Sequence, residues 1–134
     1  MGEALRRFAF TYNKNDLEAF IKAERFVSSK LKASGHVILA HNYFVHNVGE
    51  IDIITFKEGV LYATEVKARN INDRFGGNKA QFTHEKQAKV IKTLNHFASY
   101  QNQNDIPQQL LAATVDWNDE QEIVNCEIFN WDLY

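Results

Sequence analysis

The sequence predicts an α/β fold, a mixed β-sheet flanked by helices, with elements in the order αβββαββ. Two observations carry this expectation. Apolar side chains recur every three or four residues over 16–33 and again over 83–101, the signature of a helix burying one face. Five short runs rich in β-branched and aromatic residues fill the rest, bounded by turn-forming residues. Helices set among strands in this way bury their apolar faces against a sheet.

The first helix is expected over 16–33, with Asn15 as N-cap and Glu18 three residues on completing a capping box. Gly35, in Ala33-Ser34-Gly35, supplies its stop. Strands follow at 36–46, 50–57 and 60–68, then a Gly- and Asn-containing loop over 69–82. After the second helix, Pro107 interrupts, and strands at 109–117 and 122–129 close the order. Residues 1–14 leave two readings, an extra helical turn or a flexible N-terminal extension.

Global properties set looser limits. The 134 residues suit a single domain spanning 1–134, and 45% hydrophobic with 24% charged content reads as soluble and globular. The lone cysteine, Cys126, allows no intrachain disulfide, which fits a reducing cytoplasm. No run near the N-terminus has the apolar length of a signal peptide, and nothing downstream is long enough to span a membrane. With a net charge of −2, any nucleic-acid site has to be a local basic patch.

The stretch GEIDIITFKEGVLYATEVKAR, 49–69, carries the chemistry. Taken as a two-residue turn, Glu58-Gly59 pairs Lys57 with Val60 and sets the register of a hairpin. Asp52 then falls opposite Glu65, and Glu50 opposite Lys67. Alternation puts all four on one face with Ile54, Phe56, Leu61 and Ala63, and puts Ile51, Ile53, Tyr62, Thr64 and Val66 on the other. Two carboxylates about 5 Å apart at an effective dielectric of about 20 repel by about 3 kcal/mol. A divalent cation between them removes that cost, and hard cations such as Mg²⁺ prefer carboxylate oxygens. The plain alternative is a solvated sheet end with Glu50 and Lys67 as a surface ion pair.

Each helix adds polar groups. The stripe of the first reads Leu17, Phe20, Ile21, Glu24, Val27, Leu31, so Glu24 either snorkels to solvent at the stripe's edge or joins Asp52 and Glu65 as a third acid. The stripe of the second reads Gln87, Val90, Ile91, Leu94, Phe97, Ala98, with Gln87 pointing inward at its N-terminal end. Lys86, Lys89 and Lys92 line a neighbouring face, and Arg69, Arg74 and Lys79 precede them. Together they form either a phosphate-contacting patch or an ordinary solvated face.

The pattern Asp–(x)12–Glu-x-Lys on adjacent strands, after a helical Glu, resembles the PD-(D/E)XK nuclease superfamily. Within it, the chain resembles the YraN-type family of small bacterial proteins, which look like Holliday junction resolvases. AERFVSSKLKASG keeps that family's Glu24, Leu31 and Gly35 spacing. GEIDIIT with TEVKAR keeps Gly49, Glu50, Ile51, Asp52, Glu65, Val66, Lys67 and Arg69, and Lys86-Gln87 matches the start of its second helix. Ala23 replaces the usual Gly before Glu24, and Ala113 stands where an Asp is usual.

The resemblance implies a restriction-endonuclease-like core and metal-dependent hydrolysis of DNA phosphodiesters, branched DNA such as Holliday junctions included. Asp52 and Glu65 would hold Mg²⁺ or Mn²⁺, with the Val66 carbonyl as a further ligand and Glu24 reaching the ion directly or through water. Lys67 would position the attacking water or stabilise developing charge, and Gln87 would orient water or phosphate. Arg69, Arg74, Lys79, Lys86 and Lys89 would contact the nucleic acid, and a homodimer would suit a two-fold junction. The competing reading is a nuclease-fold module that binds nucleic acid or protein without cutting.

Overall fold

The computed structural model describes residues 14–72 and 82–132. Its elements are helix α1 (Lys14–Ala33), strands β1 (Val37–Val45), β2 (Gly49–Lys57) and β3 (Val60–Asn70), helix α2 (His84–Tyr100), and strands β4 (Gln108–Trp117) and β5 (Ile123–Asn130). This is the expected αβββαββ order. Lys14 already lies in α1, so Asn15 sits inside the helix instead of capping it. Gly35 does end the helix: at φ +97° it lets its own N–H and that of His36 reach the carbonyls of Lys32 and Leu31.

The strands form one sheet in the order β1-β2-β3-β4-β5. All neighbours are antiparallel except β3 and β4. A parallel pair needs a crossover, and α2 supplies it. The sheet therefore separates two apolar layers. Ala23, Val27 and Leu31 of α1 pack with Ile53, Val66, Ala113 and Val115 on one side. On the other, Val90, Leu94 and Phe97 of α2 pack with Ile51, Ile54, Leu61 and Ala63.

Two details depart from the sequence expectation. The buried line of α1 runs through Ala19, Ala23, Glu24 and Val27, while Leu17, Phe20 and Ile21 are only half-buried. The small alanines let the helix backbone approach the sheet, so its larger neighbours lie to the side. Alternation places Ile51 and Ile53 on one face, but Ile51 packs on the α2 side with Ile54 while Ile53 packs on the α1 side. Strict alternation therefore breaks at Asp52. The register of β1 on β2 places Asn42 across from Asp52, between the pairs His41↔Ile53 and Tyr43↔Ile51, and Asn42 is left-handed at φ +51°. A left-handed residue turns the side-chain sequence over, and Tyr43 joins Ile51 on the α2 side.

The start of α2 is fixed from three directions. Thr83 caps it, its hydroxyl accepting from the Lys86 N–H at 3.2 Å. Phe82 meets Phe129 and Trp131 edge to face. Gly49 permits the close approach of β2: a Cβ there would lie 2.8 Å from Thr93 Oγ1 and 3.3 Å from the Lys89 carbonyl. These contacts bring the first turns of α2 to the end of the β2–β3 hairpin.

Candidate active site

The hairpin turn is as the sequence predicts. Glu58 and Gly59 both take positive φ, at +50° and +81°, the geometry of a type I′ turn. Pairing runs from Lys57↔Val60 to Ile53↔Thr64, and there the two strands part. The Val66 N–H donates to the Asp52 carboxylate, 2.7 Å from Oδ2. Beyond this fork β3 stays paired with β4, through Asn70↔Trp117, and Glu50 pairs with Phe44 of β1 instead of facing Lys67 in a ladder.

The acids meet at the fork. Asp52 is 5% exposed, and its pKa stands well above the usual carboxylate value. Burial is the first cause; the charge of Glu65 and a hydrogen bond shared with it follow, opposed by the Val66 N–H and Lys67. Glu24 reaches the same place from α1 and does not snorkel: it is 6% exposed, and its Oε2 is buried without a hydrogen-bond partner. Burial, then the Asp52 charge, push its pKa from 4.5 up to about 8, with a smaller push from Glu50. A hydrogen bond from the Asn42 side chain pulls the other way. With its pKa at about 8, the Glu24 carboxyl holds its proton near neutral pH, and burial biases Asp52 in the same direction, because taking bare charge out of water is costly.

Cations close the other side. Lys67 Nζ stands 4.0 Å from Glu65 Oε1. Lys86, from the first turn of α2, comes beside it. Its pKa is lowered by burial first and then by contact with Lys67, while Glu65 and Asp52 act in the opposite direction. Lys86 thus belongs to the centre of the constellation and not only to a peripheral patch. The group opens into a cleft of about 600 Å³ lined by Glu50, Glu65, Lys67, Lys86 and Lys89 together with the turn from Phe44 to Gly49.

Other candidates sit elsewhere. Gln87 is buried, but its Nε2 donates to the Asp132 carbonyl at 2.6 Å, tying α2 to the end of the chain. Arg69 Nε lies 3.6 Å from Asp116 Oδ1 on β4. Val66 enters through its N–H, as described. Ala113, paired with Val66, is fully buried on the α1 side. Arg74 and Lys79 lie outside the described residues. Asn42 is the site residue that motif reading passed over; an Asn inside a strand, where such residues are disfavoured, was its one signal.

Among the described residues, no three His, Cys, Asp or Glu side chains converge as a ready-made metal cage. Asp52 and Glu65 nevertheless suit Mg²⁺ or Mn²⁺, since such ions take one or two protein carboxylates and complete their shell with water and phosphate oxygens. Also among the described residues, no helix is long and apolar enough to cross a membrane.

Comparison with known proteins agrees with the motifs. Residues 23–121 match the family described as "Uncharacterised protein family UPF0102". A UPF0102 protein of Legionella pneumophila is 34% identical over 95 residues, 70% of this chain and 79% of that protein. One from Nitrosomonas europaea is 33% identical over 101 residues, covering 75% and 83%. One from Helicobacter pylori is 36% identical over 92 residues, covering 69% and 76%. With a match over more than half its length, the chain belongs to the UPF0102 family, the YraN-type group that its motifs resemble.

Proposed function

We propose that this chain is a Mg²⁺- or Mn²⁺-dependent endonuclease acting on DNA, branched DNA included. The observation that carries the reading is the fork itself. A carboxylate removed from water, fixed by the Val66 N–H and set against a second carboxylate, is costly for the metal-free fold and useful only with a cation. Lys67 and Lys86 beside the acids make little sense for a purely structural cation site, because they repel an ion unless phosphate is also present.

In this reading Asp52 and Glu65 hold the ion, and Glu24 adds its buried carboxyl to the set. The bound ion supplies Lewis acidity and neutralises charge at the scissile phosphate. Lys67 and Lys86 hold the phosphate against the acids and stabilise the charge that builds on its oxygens. Lys89 holds the neighbouring phosphate at the cleft wall. Gln87 acts indirectly, by fixing α2 through Asp132 so that Lys86 stays in place. A two-fold junction would be met by a homodimer.

A module that binds without cutting draws support from one feature, the lack of a three-acid cage among the described residues. Incubating the protein with junction, flap, duplex and single-stranded DNA in Mg²⁺, Mn²⁺ or EDTA decides between the two. Cleavage that needs metal and vanishes in Asp52→Asn is the expected result. Binding without cleavage under either metal overturns the nuclease reading.

A further inference from the structure

The solvent face of α2 continues beyond the cleft. Lys89, Lys92, Asn95, His96, Ser99 and Tyr100 are exposed along it. The chain carries a net charge of −2, yet no Asp or Glu occurs anywhere from 86 to 104. Lys86, Lys89 and Lys92, at intervals of three, set positive charge on successive turns of one side. A second groove, of about 770 Å³, lies between Val48, Lys92, Asn95, His96, Ser99 and Tyr100. It shares Val48 with the cleft, so the two depressions lie side by side at the β1–β2 turn.

Tyr100 ends this line. It is 78% exposed, the most open of the large apolar side chains among the described residues. From Lys86 to Tyr100 the helix advances about 21 Å. A row of lysines running to an open aromatic ring matches a ligand with a charged backbone and flat apolar faces. A single strand of nucleic acid offers both, whereas a duplex hides its base faces by stacking. Val48 and Tyr100 are the two apolar residue types in the groove's lining, too few for the i, i+3, i+4, i+7 stripe against which a partner helix would seat.

We infer that the α2 groove is a track for single-stranded DNA, with phosphates on Lys86, Lys89 and Lys92 and a base stacked on Tyr100. It deepens the proposed function, and rests on it for which bond is cut. The substrate is then DNA with an unpaired segment next to the scissile phosphate.

Fluorescence anisotropy in EDTA tests binding apart from cleavage. The probes are a labelled oligothymidylate and a blunt duplex of equal length. The parent should prefer the oligothymidylate. Tyr100→Leu should weaken it by about fivefold or more, and Tyr100→Trp should restore it, because loss of one stacked base costs at least that much. Duplex affinity should change less than twofold. Lys92→Ala should lower the slope of log affinity against log salt by about 0.7. Equal oligothymidylate affinity in parent and Tyr100→Leu overturns the inference. So does a parent that binds neither DNA, in which case another partner covers the groove. Tyr100-dependent binding by a parent that cuts no DNA keeps the track and removes the nuclease.

Discussion

Replacing Glu24 by Gln tests the electrostatics of the fork without any substrate. In the folded chain Glu24 titrates near 8, against 4.5 when solvated, chiefly because it is buried and secondly because Asp52 lies beside it. The folded state therefore holds more protons than the unfolded state between these values, and stability falls as pH rises through that window. Linkage with the two values makes the fold lose about 3 kcal/mol between about pH 5.5 and 8.5 on account of Glu24 alone. Gln cannot ionise, so the stability gap between Glu24→Gln and the parent should widen by about 3 kcal/mol over that range. Asp52, also raised, leaves a residual slope of the same sign in the variant. Urea unfolding in EDTA at the two pH values measures the gap. A gap that stays constant would refute the account, because Glu24 would then be ionising freely in the fold.

Three further outcomes are expected. Asp52→Asn should fail to bind Mn²⁺ in calorimetric titration yet melt no lower than the metal-free parent, whereas Lys67→Ala should still bind Mn²⁺ and lose about 10²–10³-fold in cleavage rate. Gly49→Ala should destabilise by about 1–3 kcal/mol in urea unfolding, with partial rescue by Thr93→Ala, since its new Cβ would press on Thr93 Oγ1. Asn42→Ala should be less stable than Asn42→Gly by about 1–2 kcal/mol, because both lose the bond to Glu24 but only Ala is strained in the left-handed region. Equal stabilities would mean that the β1 backbone relaxes.

Much of this arrangement was legible where the controlling contacts are local. Glu58-Gly59 specifies its own turn, and the register of Ile53 to Lys57 on Val60 to Thr64 follows from it. The Gly35 stop depends on nearby residues alone. Legibility ended where partners are distant. Nothing in β2 announces that Ile51 changes sides, and the left-handed residue that faces the break, Asn42, lies on another strand. Glu24 could be placed on the inward stripe, but its burial depends on how closely Ala19 and Ala23 let α1 approach. Lys86 read as a surface cation because its neighbour Lys67 is 19 residues away and is reached only once α2 has docked. Gln87 points inward as its stripe requires, but toward Asp132, a contact 45 residues away.

The fork between β2 and β3 also bears on the order in which the chain assembles. Asp52 and Glu65 are joined by a tight hairpin, and closing so short a segment takes microseconds. β4 can join β3 only after a crossover that includes the whole of α2, a slower step because the loop entropy must be met before any contact repays it. The carboxylates therefore meet in a nascent sheet before Lys86 arrives to face them. In the proposed reading, a divalent cation present at that stage would relieve their repulsion and speed folding, so the ion would act on the kinetics of the fold before any chemistry.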